Sequence, residues 1–353
     1  MTTSHDVALL RLVAQRIAGP RPTTPADAVR HLAAVQGQDL PGALQSVALR
    51  TADGRRADVE AALDAGEVVR SWPMRGTLHL VAAEDLPWLI GLLGPRVLAG
   101  ASARRAQLGI TDESIEQAGL IALAALSGGR RMRRKELLGA LADGGVEIGG
   151  QRGYHLLWYL SQSATLCLGP MADGESCFVL MDEWIRAPRR LDPDEALAEL
   201  AGRFFRGHGP ATVKDLARWA GLRITEARTG LAAARGGLAR LELDGVEYFL
   251  DPEIPDVLAE NREEARGTFL LPGFDEFVLG YGDRGAILDP AFADRIVPGG
   301  NGVFRPTVVS DGRIVGTWRW TGRGATRTAT ATPFAEFARE VTEALPRLAA
   351  DLP

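Results

Sequence analysis

The 353-residue sequence predicts an α+β chain of three tandem winged helix-turn-helix units, a C-terminal β-rich module and a terminal helix. Three observations carry this expectation. The order helix, helix, helix, hairpin occurs three times along the chain. Each repeat ends in two β-like runs around a short turn, and the texture changes to extended runs after Pro255. The chain is also too long for one ordinary core, and 46 % hydrophobic residues are enough to fill several.

In the first unit, apolar side chains at helical spacing (Val7, Leu10, Val13, Ala14, Ile17) predict a helix from Val7 to Ala18, stopped by Gly19 and Pro20. Thr24 as cap and Pro25 at the first helical position start a second helix, expected to run to about Val35. A third covers Pro41 to Arg50 and a fourth Ala57 to Ala65; Val68 to Trp72 and Thr77 to Val81 then flank Pro73-Met74-Arg75-Gly76 as a hairpin. The second unit repeats the order with helices at Ser114 to Leu126, Arg133 to Ala142 and Gln151 to Ser161. Its strands are Leu166 to Leu168 and Cys177 to Met181. The third has helices at Pro193 to Phe205, Thr212 to Ala220 and Thr225 to Ala234, then strands Ala239 to Leu243 and Glu247 to Leu250 around Asp244-Gly245. The expected domain limits are 1–110, 111–187, 188–254 and 255–353. In the last, extended runs are expected at Thr268 to Leu271, Phe277 to Tyr281, Thr307 to Val309 and Ile314 to Trp320, with an amphipathic helix over Pro333 to Ala349.

The formal net charge is −5, yet Arg96 to Glu136 holds eight basic residues against four acidic, and Arg305 to Arg327 five against one. Local excesses of this kind matter more to a polyanionic partner than the total. The basic residues are nearly all arginine, as an arginine-rich genome would also give; Lys135 and Lys214 are the only lysines. The first residues lack the basic start and apolar run of a secretory leader, and no apolar stretch is long enough to span a bilayer, so a cytoplasmic, nucleoid-associated protein is expected. Cys167 and Cys177 sit among apolar residues and read as core, and the five histidines show no metal-ligand spacing. No metal and no cofactor is expected.

Five segments together resemble the winged helix DNA-binding proteins of the AlkZ/YcaQ DNA glycosylase type. They are HLAAVQGQDLPGA (His31 to Ala43), SWPMRGTLHLV (Ser71 to Val81), GQRGYHLLWYLSQ (Gly150 to Gln162), LPGFDEFVLGYGDR (Leu271 to Arg284) and VPGGNGVFRPTVVSDGRIVGTWRW (Val297 to Trp320). The resemblance implies a basic concave surface with a catalytic pore and removal of alkylated purines, crosslinked ones included, from double-stranded DNA. It places the family's catalytic Gln-x-Gln or Gln-x-Asp motif on Gln36 and Gln38, with Gly37 where relatives usually carry an aliphatic residue.

That chemistry suits two amides. An N7- or N3-alkylated purine leaves as a neutral base from an already weak bond, so a held water and dipoles facing the developing oxocarbenium charge are what an enzyme can add. Amide oxygens supply these without the cost of burying a carboxylate. Spacing of two puts both side chains on one side only where the backbone is extended or turning, so the motif belongs where the second helix stops. The plainer alternative is a polar helix end bonding its own backbone. An amine nucleophile would make a bifunctional enzyme, but Lys135 and Lys214 fall in helix-turn-helix segments where phosphate contact or solvation is expected.

Candidates for contact with DNA are Arg75, His79, Arg152, Arg284, Asn301, Arg305 and Arg319, all inside the five segments; His79 reads equally as a hydrogen-bonded core group. Asp275 and Glu276 are the best carboxylate pair; adjacent residues on a strand face opposite ways, so one could reach the pore, and a structural role for both is the favoured expectation. Two rival readings remain: a transcriptional regulator, and a protein that sequesters DNA adducts without turnover. Three winged helices plus a β module leave little room for the effector or dimerisation domain of a regulator, and a monomeric, monofunctional glycosylase is the favoured expectation.

Overall fold

The computed structural model describes residues 3–322 and 327–353. The chain divides into two compact units, one formed by the residues up to Arg56 together with Ala198–Pro353, the other by Ala57–Leu197.

In the first unit, helix Ser4–Ala14 opens on a capping box in which Thr3 and Asp6 satisfy each other's backbone N–H groups. It is buried on almost every face from Val7 to Ala14 and packs on helices Ile254–Glu260 and Arg262–Ala265. Helix Pro25–Leu32, capped by Thr24, stops three residues short of the expected end, because Ala33 adopts φ 64°. A two-residue strand, Val35–Gln36, and helix Leu40–Ala48 follow. After Ala198 the unit continues through the rest of helix Pro193–His208, helices Val213–Ala220 and Ile224–Ala234, and the hairpin of Ala239–Leu243 with Val246–Leu250.

The C-terminal region pairs four antiparallel strands in the order Thr328–Pro333, Arg313–Thr321, Thr307–Ser310, Thr268–Leu271. Helix Arg339–Ala350 covers this sheet, with Val341 packed into a core of Leu270, Val308 and Trp318. Two sequence expectations fail here. The helix starts at Arg339 instead of Pro333, and the residues before it form the edge strand Thr328–Pro333. Phe277 to Tyr281 is not extended: Asp275 caps a helical turn, Glu276–Leu279, by accepting the Phe277 N–H at 2.9 Å.

In the second unit, helix Arg56–Ala65 leads into the hairpin Val68–Met74 with Thr77–Ala82, then helices Leu86–Gly100 and Ser102–Gln107. Helices Asp112–Leu126, Arg134–Asp143 and Arg152–Gln162 precede the hairpin Leu166–Ala172 with Glu175–Leu180. The two hairpins join through Arg70 opposite Leu168. Their apolar side chains, including Trp72 stacked on Phe178 at 6.5 Å, share a core with Leu126, Leu137 and Leu156. Both cysteines lie buried in this unit as free thiols. Among the described residues no helix is long and apolar enough to cross a membrane.

Candidate active site

The positive φ of Ala33 turns the chain out of the helix, so Gln36 and Gln38 lie on extended and bent backbone between two helices. Gln36 is 7 % exposed and Gln38 is exposed. Their side chains meet: Gln36 Nε2 donates to Gln38 Oε1 at 2.8 Å. On a continued helix, residues two apart would point away from each other. The amide pair is therefore a product of the helix stop and the extended segment after it.

That segment is anchored from below by the LPGFDEF stretch. Glu276, fully buried, accepts the Gln36 backbone N–H on Oε1 at 2.9 Å and the Trp219 indole N–H on Oε2 at 2.8 Å. His208 Nε2 lies 3.4 Å from the same Oε2. Burial by itself would raise this carboxyl, but the His208 ring, the indole and the Gln36 N–H stabilise the charged form and hold it at about 2. Asp275 faces the other way: it accepts Arg50 Nη1 and Nη2 at 2.9 and 2.8 Å and the Ser46 hydroxyl at 2.7 Å. Arg50 also donates to the carbonyl and side-chain oxygens of Gln15, whose Nε2 donates to Tyr281. The neighbouring carboxylates thus fix two different parts of the site.

Close backbone approach explains Gly273, where a Cβ would fall 2.7 Å from the Phe304 carbonyl oxygen; at Gly42 the nearest atom is the side-chain Oδ2 of Asp39 at 2.7 Å, with the Gly273 carbonyl oxygen at 3.3 Å. The space beyond is a cavity of about 240 Å³ lined by Asp39, Gly42, Pro306, Trp318, Trp320 and Arg327 among others. It begins at the residue after Gln38. The Arg327 guanidinium sits 4.0 Å over the Trp320 ring.

Of the seven residues expected to contact DNA, Arg305 and Arg319 come together in a groove of about 500 Å³ that also includes Thr317, Trp318 and Thr332. Asn301 is exposed in the glycine-rich loop and accepts the Val303 N–H at 2.9 Å. Arg284 donates to the Val278 carbonyl at 2.7 Å and stands over Phe304, while its Nη2 is buried without a hydrogen-bond partner among the described residues. Burial and nearby Arg218 lower it to about 10, so it stays cationic at neutral pH.

The other three belong to the second unit. Arg75 occupies the hairpin turn at φ 55°, and its Nη2 lies 3.3 Å from His79 Nε2. His79 is fully buried, with Nδ1 2.9 Å from the Thr77 carbonyl oxygen. Arg152 is turned onto protein: it donates to the carbonyls of Leu108 and Glu147 and stands 3.5 Å from the Glu147 carboxylate.

Sequence reasoning singled out Glu276 but not its partners. Trp219 and His208 lie in another part of the chain, 57 and 68 residues away, and no local pattern links them. Trp320 and Arg327 were likewise passed over individually, as a strand aromatic and one arginine among many. Among the described residues no three His, Cys, Asp or Glu side chains are grouped so as to hold a metal ion.

The chain is similar to known proteins in sequence and in fold. A curated relative from Streptomyces sahachiroi, an interstrand DNA cross-link repair glycosylase, is 28 % identical over 306 residues, covering 83 % of this chain and 81 % of that protein. The fold is similar to the solved structure of Streptomyces sahachiroi DNA glycosylase AlkZ, with a TM-score of 0.80, 24 % identity and coverage of 99 % of this chain and 96 % of the other. The model of the family described as DNA glycosylase AlkZ-like matches residues 29–352, which include the glutamine pair, its Glu276 anchor and the arginine groove, and the chain belongs to that family of DNA glycosylases.

Proposed function

We propose that the protein is a monofunctional, monomeric DNA glycosylase that hydrolyses the N-glycosidic bond of cationic N7- or N3-alkylated purines, bulky and crosslinked adducts included. The observation that carries the reading is the amide pair of Gln36 and Gln38, joined at 2.8 Å on a segment held from beneath by a buried carboxylate. Preorganised dipoles of this kind act most strongly where charge develops in the transition state. A water held by the two amides attacks C1′, and the new C–O bond forms as the C–N bond breaks. The bonding electrons neutralise the cationic purine, and the proton passes to solvent.

Several features support a duplex substrate. Arg305 and Arg319 line one groove, which suits adjacent backbone phosphates. The order of three helices and a hairpin recurs along the chain, and we read it as three tandem winged helices with limits near 1–110, 111–187 and 188–254, followed by the β-rich module 255–353. Arg75, Arg284 and Asn301 complete the proposed set of direct contacts, while His79, fully buried beneath Arg75, and Arg152, both expected from the sequence to touch DNA, are taken as supports for that surface. The internal bonds of Arg152 give it the task of shaping a backbone-facing surface more than of gripping phosphate. Lys135 and Lys214 are both exposed at the starts of helices, where solvation or phosphate contact is their role, and this favours hydrolysis over a Schiff base. As a DNA-repair enzyme it would work in the cytoplasm, at the nucleoid. The relative's printed activity, interstrand cross-link repair, is the basis for including crosslinked adducts.

Incubation with duplex containing N7-methylguanine tests the reading. Free N7-methylguanine should appear while the strand stays intact until alkali cleaves the abasic site. Tight binding with no base released above the spontaneous rate would overturn it in favour of a non-catalytic binder.

A further inference from the structure

A buried charge needs a reason, and Glu276 is an expensive way to satisfy one backbone N–H. Neutral carbonyls do that work throughout the protein, whereas an ionised carboxylate removed from water must be compensated on every side. The structure answers part of that need: the Trp219 indole N–H donates to Oε2 at 2.8 Å and the His208 ring stands 3.4 Å from the same oxygen without a hydrogen bond to it, leaving Oε1 aimed at Gln36. Those two rings are themselves fixed. His208 stacks on Phe204 at 4.7 Å, Trp219 lies 5.1 Å from both, and all three are fully buried. Gly280 lets the helical turn carrying Glu276 come close, since a Cβ there would fall 2.8 Å from His208 Cδ2. The result is a rigid aromatic seat under a carboxylate whose outer oxygen sets the backbone of the first glutamine, and through Gln36 Nε2 the second.

We infer that Glu276 is a positioning residue: seated by Trp219 and His208, it fixes the Gln36 backbone so that the glutamine pair is held in register for the reacting water. The inference rests on the proposal that Gln36 and Gln38 do the chemistry. Asp275, one residue earlier, does not share this role, because its oxygens are taken up by Arg50, Ser46 and the Phe277 N–H.

An amide at position 276 would have one oxygen for two donors, the Gln36 N–H and the Trp219 N–H. Glu276→Gln should therefore let the segment shift, and a displacement of about 1 Å costs up to about 100-fold in rate. Single-turnover release of N7-methylguanine, undamaged-duplex Kd and thermal midpoint are measured for the full chain, for Glu276→Gln, and for Glu276→Gln combined with Trp219→Phe. The expected result is a release rate at least about tenfold lower in the single variant, with duplex Kd within about twofold of wild type. Adding Trp219→Phe removes the competing donor and should recover a large part of that rate, although it deletes a further hydrogen bond. A purely structural carboxylate predicts the opposite: the double variant melts lower and is slower still, and that outcome overturns the inference. Wild-type release by Glu276→Gln, with Gln36→Ala slow, also overturns it while leaving the glutamine reading intact. Wild-type release by both Gln36→Ala and Gln38→Ala would remove the reading on which it depends.

Discussion

Arg50 is 1 % exposed and its partner Asp275 is fully buried, so neither charge has water to fall back on. Replacing Asp275 by alanine leaves the guanidinium uncompensated beside Ser46 and Gln15, and loss of one partner of a buried pair costs about 3–5 kcal/mol. Urea unfolding of Asp275→Ala should show a fall of that order; a change below about 1 kcal/mol would contradict the pairing. His31 gives a pH-dependent counterpart. Burial lowers its ring from 6.5 to about 4, with Arg16 and His208 adding to the effect and the 2.6 Å contact to the Ala14 carbonyl opposing it. Because the folded-state value is the lower one, stability is fully present above pH 6.5. As pH falls from 6.5 towards 4 the unfolded chain takes the proton first, so stability drops until the folded ring also protonates. His31→Gln should flatten the stability profile across that window, and parallel profiles would contradict the assignment. The sequence showed Arg50 only as a polar residue in a helix, since its partner Asp275 lies 225 residues along the chain, whereas His31 is half-buried and bonds the Ala14 carbonyl of the preceding helix.

At the scale of elements, the turns were the most legible feature because their dihedral demands are local. Arg75-Gly76 and Asp244-Gly245, placed in turns from the sequence, adopt positive φ at both residues, as do Asp173-Gly174 and Asp311-Gly312; two-residue hairpins require this conformation and Asp-Gly sequences favour it. Gly312 is the most constrained of them, at φ 77° with a would-be Cβ 3.0 Å from the Ala8 Cβ. Gly312→Ala should cost about 1–3 kcal/mol from backbone strain, read as a lower unfolding midpoint; an unchanged midpoint would show that helix Ser4–Ala14 yields at that contact. The missed elements share a cause. Thr328–Pro333 is an edge strand of alternating threonine and alanine, too weakly apolar to stand out, and Phe334 and Phe337 extended the apparent helical period of the next element towards the N-terminus. In Glu276–Leu279 three consecutive apolar residues suggested a strand, but the Asp275 cap commits the backbone to a helical turn. The glutamine motif was placed by the family resemblance; its spacing demanded only that the preceding helix stop before it, and Thr24-Pro25 fixed where that helix starts.

For the whole molecule, the balance of charge sets how DNA is held. A chain of net charge −5 must bind a polyanion through local clusters, and the groove of Arg305 and Arg319 is the cluster proposed for that role. Phosphate contacts release counterions, so duplex affinity should fall by about a thousandfold between ~50 and ~200 mM salt if about six phosphates are neutralised. Salt-independent affinity would contradict a phosphate-tracking surface. The seating of the glutamine segment was beyond the reach of sequence alone, since it depends on Gln36, His208, Trp219 and Glu276 converging from four separate stretches. The central claim is that the two glutamines act as one unit on one water, and it is tested most directly by single-turnover release of N7-methylguanine from Gln36→Ala, Gln38→Ala and the double variant. Each single substitution should slow release by up to about 100-fold with binding to undamaged duplex nearly unchanged, and the double variant should lose little beyond the slower single one. Wild-type rates in both single variants would contradict the claim and leave the motif as the polar end of a helix.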